Sequence, residues 1–307
     1  MTLDVVILGV FVADTAYRAE RQPKMGETIL GRSFALGPGG KGSNQAVAAG
    51  KTGASVGILT KLGQDPFAEM ALNTWKNAGV TPLVTQDPES YTGAAYIFVD
   101  DATGDNAIIV SPGIAATISP ADIDAHADAI AACKVFMTQL EQPLDAAEHG
   151  LRLARNAGAT TVLNPAPVAD LSAGIIGLCD YVTPNESEAE ALTGIEVSDT
   201  NGATRAAEAL LALGAGAAII TLGGEGCLYH DGQSAQHIPA MNAGPVLETT
   251  GAGDAFNGGL ATGLAEGLSP HDAIRFGTAT AAISVTRQGT APSMPSRSEV
   301  NALLSSA

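Results

Sequence analysis

Six apolar, β-branched runs separated by alanine-rich stretches of helical period set the tightest limit on how this chain can fold. The first, "VVILGVFV", ends just before Asp14. It reads as one strand buried on both faces. "SVGILTKLG", "VFMTQLE", "TTVLNPAP", "YVTPNE" and "AAIITLGG" repeat the pattern. Helix-period segments run from Asn44 to Thr52, Phe67 to Ala78, Leu144 to Asn156 and Thr204 to Leu213. Strand alternating with helix implies βαβ units, right-handed crossovers and a parallel sheet. The last third differs: from Ala252 to Val285 two helices follow one another, and Ser269-Pro270 starts the second.

Two segments break the rhythm. Residues 15–36 include "GETILGRSFALG", and residues 93–111 alternate and turn at Asp-Asp-Ala-Thr-Gly-Asp, as an antiparallel hairpin does. Together they predict a small sheet set apart from the main one. With 307 residues and no Pro/Ser linker, repeat or low-complexity tail, residues 1–307 read as one α/β domain carrying this β appendage.

The formal net charge of −17 speaks against nucleic acid and against an anionic membrane surface as partners. A phosphorylated ligand would then need local help from backbone amides, helix termini or a divalent cation. Cys133, Cys179 and Cys227 lie far apart, as reduced, buried thiols. The five histidines are scattered and carry no role. The first residues have no basic n-region, and their apolar run is too short to span a bilayer, so the expected location is the cytoplasm.

In an open parallel sheet, ligands bind beyond the carboxyl ends of the strands. Asp14, "GPGGKGSN", "QLE", "NPAP", "TPNE", "TLGGEG" and "TTGAGD" all fall there. In the last, Gly251, Ala252 and Gly253 strip the backbone at an apparent helix start, and Asp254 follows in the first turn. Bare amides at a helix N-terminus suit an anion. A carboxylate beside them suits a general base acting on a hydroxyl while charge develops on a phosphoryl group. The bland alternative is an ordinary acidic first-turn residue, and three near-bare residues are wasteful for a mere cap.

Lys41 stands directly before a helix, where a cation opposes the dipole; gripping hydroxyls or a phosphate with Asn44 is one reading, a solvated Gly-rich turn the other. Asn185 and Glu188 have the spacing of a capping box. "ITLGGEG" fits a phosphate turn or a hairpin entry, and Glu141 ends a strand with either reading open. "GPGGKGSN" does not match GxxxxGK[ST], and "GAGDAF" does not match GxGxxG because Phe256 replaces the last Gly.

Taken in order, "GPGGKGSNQAVAAGKTGA", "NPAP", "TPNESEAE", "ITLGGEG", "ETTGAGDAFNGGL" and "AAISVTRQGTAPSMP" resemble the ribokinase family of ATP-dependent sugar kinases, the PfkB carbohydrate kinases, over about residues 3–300. The resemblance implies a ribokinase-like three-layer α/β fold, a mainly parallel central sheet flanked by helices, with a small β-sheet lid at about 15–36 and 93–111. It implies phosphorylation of a primary hydroxyl, of ribose to ribose 5-phosphate, with Asp254 as base and Gly251, Ala252 and Gly253 as anion hole. Asp14, Gly40, Lys41, Asn44 and Glu141 match sugar-contacting positions, as does Val12. Asn185 and Glu188 match the motif organising Mg²⁺ through water. Thr221, Gly223, Gly226 and Thr278, with Gly253, fall in the ATP-binding part. Glu248, Thr250, Ser284, Arg287, Gly289 and Ser293 match a K⁺ site, several through main-chain carbonyls. The lid implies a homodimer.

Two departures qualify the resemblance. The family pattern Gly-x-x-Asn-x-Asp reads "GVFVAD" here, with Val12 at the Asn position. An apolar side chain removes one hydroxyl partner, at a cost of about 1–3 kcal/mol, which opens the site to a substrate lacking that hydroxyl. Glu248 stands where many relatives have Asp. The rival expectations are a kinase of another pentose, hexose, polyol or nucleoside, and a catalytically silent sugar- or nucleotide-binding regulator.

Overall fold

The computed structural model describes residues 2–306. In chain order the strands are β1 (Val5–Leu8), β2 (Val12–Ala19), β3 (Ser33–Gly39), β4 (Val56–Gly63), β5 (Thr81–Asp87), β6 (Thr92–Asp100), β7 (Asn106–Gly113), β8 (Val135–Thr138), β9 (Thr160–Leu163), β10 (Tyr181–Val182), β11 (Ala217–Thr221), β12 (Cys227–His230) and β13 (Ala235–Ile238). The helices are α1 (Lys41–Lys51), α2 (Pro66–Ala78), α3 (Pro120–Asp124), α4 (Ala127–Ala132), α5 (Leu144–Ala157), α6 (Ala173–Ile176), α7 (Glu186–Thr193), α8 (Thr200–Ala212), α9 (Ala252–Ala265), α10 (Pro270–Ser284) and α11 (Arg297–Ser306).

The strands make two sheets. A nine-stranded sheet runs β13-β12-β11-β10-β9-β8-β1-β4-β5, parallel from β11 through β5 and antiparallel at β12 and β13. A four-stranded sheet runs β3-β2-β6-β7. Strand periodicity divides the core of the large sheet. Val5 and Ile7 of β1 pack in one cluster with residues of α1, α2, α9 and α10, whereas Val6 and Leu8 pack in another with residues of α3 to α8. The result is the three-layer α/β arrangement, with a smaller sheet beside it.

One expectation is corrected. The run "VVILGVFV" is not a single strand: β1 stops at Leu8 in the large sheet, and β2 begins at Val12 in the small one. The break sits where α1 comes closest. A Cβ on Gly42 would lie 2.6 Å from the Gly9 Cα, so two glycines let the helix start press onto the crossover between sheets. The small sheet therefore begins before residue 15 and takes in β3 to Gly39. Its edge strand β7 exposes Ile108, Ile109 and Val110.

Helix starts follow their capping residues. Asp65 accepts from the Ala68 N–H ahead of α2, with Pro66 in its first position. Ser269 and Pro270 do the same for α10. The N-terminus of α9 has no side-chain cap. Among the described residues no helix is long and apolar enough to cross a membrane.

Candidate active site

The parallel strands of the large sheet deliver their carboxyl ends to one region: Gln139 and Glu141 follow β8, Asn164 follows β9, Asn185 follows β10, and Thr221 ends β11. The N-termini of α1, α7 and α9 face the same region.

Asp254 lies at its centre, in the first turn of α9 behind Gly251, whose φ of 82° suits glycine. It is 8% exposed, and two buried amides hold its carboxylate. The Asn44 Nδ2 donates to Oδ2 at 3.0 Å, and the Gln45 Nε2 donates to Oδ1 at 3.1 Å. Burial pushes its proton affinity up; the Lys41 charge and the two amides push it back down.

Three further carboxyls surround this group. Burial raises Asp14 to about 6, with the Asp254 charge adding to the shift. Burial raises Glu141 to about 7, against the Lys41 N–H, which donates to Glu141 Oε2 at 2.8 Å, and against the Lys41 charge. Glu188 is raised by burial as well, and Lys41 opposes that shift too. The Lys41 charge serves Glu141, Glu188 and Asp254, opposing the shift of each.

Two cavities meet beside Asp254. The smaller, about 160 Å³, is polar and is lined by Lys41, Asn164, Asn185, Glu188 and Asp254 together with Gly251 and Gly253. The larger, about 580 Å³, is a trough walled by Val246, Phe256, Ala281 and Val285, with Gly223, Gly224 and Gly226 along one edge. Asn185, Thr221 and Gly253 border both. A Cβ on Gly253 would meet nothing within 4 Å, so this backbone faces open space.

Several single-residue expectations acquire geometry. Asn185 and Glu188 do form the reciprocal capping box of α7, with Glu188 N–H to Asn185 Oδ1 at 2.8 Å and Asn185 N–H to Glu188 Oε2 at 2.9 Å, while also lining the small cavity. The capping box leaves both side chains bordering the cavity. Of the three small residues before Asp254, Ala252 already gives its N–H to the Thr249 carbonyl at 3.1 Å. Thr278 borders the trough but turns its hydroxyl to the Ile274 carbonyl. Gly40 is the residue before α1, next to Lys41. Val12 borders neither cavity. It is 5% exposed in a core cluster with Val10, Ala95 and Ala115, and its Cγ1 lies over Gly93.

The residues matched to a monovalent cation gather in a separate loop cluster. The Gly289 N–H donates to Glu248 Oε2 at 2.9 Å, the Arg287 N–H to the Ser284 carbonyl at 3.0 Å, and Arg287 Nη1 to the Ser293 carbonyl at 3.4 Å. Thr250 adjoins Gly251 in the chain. Among the described residues, no group of three His, Cys, Asp or Glu is arranged to hold a metal ion. The donor set fits Mg²⁺ only in the way that ion is held beside substrate phosphates, through one carboxylate and water; Glu188, which lines the polar cavity, is the carboxylate that would serve.

Gln139, Asn164 and Thr183 begin the "QLE", "NPAP" and "TPNE" clusters and Gln45 and Asn257 lie inside quoted motifs, but motif reading gave none of the five a role of its own. The available signal was local: Asn44-Gln45 is a polar pair on a helix that otherwise continues Ala-Val-Ala-Ala, and all of its residues from Gly42 to Ala49 are buried.

The chain is similar to known proteins over almost its whole length. The model of the pfkB family carbohydrate kinases matches residues 2–297. A ribokinase of Haemophilus influenzae is 37% identical over 300 residues, covering 97% of each chain. A deoxyribokinase of Salmonella typhi is 35% identical over 305 residues, covering 99% of each. The structure of an Arabidopsis thaliana ribokinase complexed with ribose and ATP superposes with a TM-score of 0.92 at 27% identity, covering 99% of both chains.

Proposed function

The chain belongs to the pfkB family of carbohydrate kinases and is an ATP-dependent sugar kinase, and from that premise we propose that it phosphorylates the primary hydroxyl of ribose, giving ribose 5-phosphate. The observation that carries the reading is Asp254: a buried carboxylate, held by two amides, at the junction of a polar cavity and an apolar trough.

In this reading the trough takes the base and ribose of ATP; its volume of about 580 Å³ is in the range of small-ligand sites. The sugar lies on the side of Asp14, Lys41, Asn44 and Glu141. Asp254 accepts the hydroxyl proton as the sugar oxygen forms its bond to the γ-phosphorus, and the bond from that phosphorus to the ADP oxygen breaks. The uncapped first turn of α9, with Gly251 and Gly253 bordering the cavity, meets the charge on the transferred group. Asn185 and Glu188 would hold Mg²⁺ through water, which supplies charge neutralisation at the phosphates. The Glu248–Gly289 loop cluster is proposed to bind K⁺; exchanging Na⁺ for K⁺ at fixed Mg²⁺ should raise turnover, and a flat response would remove that site. The small sheet is proposed as a lid, and its exposed Phe34, Ile108, Ile109 and Val110 as the face that pairs two copies.

A second reading, 2-deoxyribose as substrate, is favoured by one residue. Val12 presents no polar group where the family pattern has Asn, and a relative of similar identity is a deoxyribokinase. A site without a buried polar group to leave unpaired discriminates weakly against a missing hydroxyl.

ADP release against a panel of sugars tests the function, with wild type and Asp254→Asn side by side. Release with ribose or 2-deoxyribose, and turnover of Asp254→Asn lowered more than a thousandfold with sugar and ATP binding kept, is expected. Asp254→Asn turnover within tenfold of wild type would overturn the base assignment.

A further inference from the structure

Gln45 is fully buried, and every polar position of its amide is used. Its Nε2 donates to Asp254 Oδ1 at 3.1 Å and to Asn164 Oδ1 at 3.1 Å, while its Oε1 accepts from Gln139 Nε2 at 2.5 Å. A side-chain amide can present either end, so what decides the orientation matters. Here it is decided at a backbone group. Asn164 Nδ2 donates to the Thr183 carbonyl at 3.0 Å, and a carbonyl only accepts. Asn164 must therefore turn its oxygen toward Gln45. Gln45 must answer with its NH₂, which leaves its oxygen for the NH₂ of Gln139. Reversing Gln45 would set its oxygen against the Asn164 oxygen and the Asp254 carboxylate together.

From this chain of donors we infer that Gln45 is a positioning residue for the phosphoryl-transfer reaction, its amide locked by Asn164 and Gln139 so that an N–H points permanently at the Asp254 carboxylate. The inference rests on the reading of Asp254 as the base. The same Thr183 also donates its hydroxyl to Asn257 Oδ1 at 2.7 Å, and Asn257 Nδ2 donates to the Gly253 carbonyl at 2.9 Å. One residue beyond β10 thus fixes both the orientation of the amide on the base and the first turn of the helix that carries it. The Asn44 amide, on the other carboxylate oxygen, has no such lock: its own Oδ1 has no partner within the protein. Gln45 holds the base, and Asn44 keeps an acceptor free for a substrate hydroxyl.

A donated N–H favours the ionised carboxylate, so Gln45 counteracts the effect of burial on Asp254. The charged groups that also bear on Asp254 are Lys41 of α1, Asp14 of β2, Glu141 after β8 and Glu188 of α7. All of them stay in place when Gln45 is changed, so a shift in the titration of the base reports the lost amide.

The test is the pH profile of kcat in the full chain with saturating sugar, ATP and Mg²⁺, for wild type, Gln45→Met, Gln139→Met and Asp254→Asn. Gln45→Met keeps the volume and removes the donor. Its acidic limb should move up by about one pH unit, so that kcat on the acid side of the limb is about tenfold lower, with both KM values within about threefold. Gln139→Met does not touch Asp254 and only unlocks the amide; its limb should move the same way by less. It serves as the decisive variant if Gln45→Met does not fold. A pH-independent loss of kcat with an unmoved acidic limb in these variants would reduce Gln45 to a packing residue and overturn the inference. If Asp254→Asn is inactive and the Gln variants keep the wild-type profile, the positioning role falls while the base stands. If Asp254→Asn stays active, both fall.

Discussion

On one side of Asp254 the walls are functional side chains; on the other they are largely backbone and small apolar residues. The proposed sugar side is built from buried and half-buried side chains that carry hydrogen-bonding capacity: Asp14, Asn44, Glu141 and Lys41, whose N–H donates to Glu141. Asn44 even keeps a buried oxygen without a partner in the protein. The proposed nucleotide side offers Gly223, Gly224, Gly226 and Gly253, the uncapped start of α9, and apolar walls. The difference reflects what each ligand shows. Hydroxyls differ in position and must be matched atom by atom, and buried polar groups left unpaired enforce the match. Phosphates present the same oxygens whatever is attached to them, and amides at a helix start meet them without side chains.

Substitutions on the two sides should therefore fail in different ways. The largest effect is expected from Gly253→Ala. Its Cβ would meet no protein atom within 4 Å, and glycine inside a helix costs about 0.5–1 kcal/mol relative to alanine, so the melting temperature should rise slightly. The methyl would nevertheless stand in the cavity beside Asp254, and kcat should fall about a hundredfold or more. Thermal melts and steady-state kinetics on one preparation check both signs; unchanged kcat would mean that no ligand approaches this backbone.

Next comes Asn44→Ala. Losing a buried group on a substrate hydroxyl costs about 1–3 kcal/mol, so the sugar KM should rise about tenfold to a hundredfold while the ATP KM stays within threefold. A rise confined to the ATP KM would exchange the two half-sites.

A smaller effect is expected from pH. Asp14 and Glu141 have folded values raised to about 6 and about 7. Groups raised in this way stabilise the free protein below their unfolded values near 4, and that contribution is lost as pH rises through about 6 and 7. Sugar hydroxyls donate to carboxylates and so favour their ionised forms. Sugar binding measured by calorimetry should weaken severalfold from pH 7.5 to 5.5, and the sugar-induced gain in melting temperature should be larger at the higher pH. Equal affinities at the two pH values would place these carboxyls away from the sugar.

The smallest effect should come from Thr278→Ala. The hydroxyl is already spent on Ile274, so the ATP KM should stay within about threefold. A tenfold rise would show a side-chain contact on the side described as backbone.

Much of this asymmetry could be read from the sequence because the features are local. Gly251–Asp254, Lys41–Asn44 and Asn185–Glu188 lie within a turn of a helix start, where capping and dipole arguments apply directly. The alternating runs likewise gave the parallel sheet. The crossover at Gly9 was hidden because apolar residues continue through it, and the second sheet needs the same β-branched character as the first. Strands β5 and β13 are the sheet edges and mix exposed polar residues into short segments, and β12, between β13 and β11, has only four residues, so periodicity did not flag them. The Gln45 network was hidden for a different reason. Its partners lie 94, 119 and 209 residues away, so the polar pair Asn44-Gln45 is visible locally but what its amides meet is not.

The most direct measurement of the central claim is kcat/KM over a crossed panel: ribose and analogues lacking one hydroxyl at a time as acceptors, and nucleoside triphosphates differing in the base as donors. A side built of buried side chains should spread the acceptors over about a hundredfold or more, with 2-deoxyribose the best-tolerated loss if Val12 faces that hydroxyl. A side built of backbone and apolar walls should keep the donors within about tenfold. Acceptors that all react alike, or donors that spread more widely than acceptors, would contradict the division of labour across Asp254.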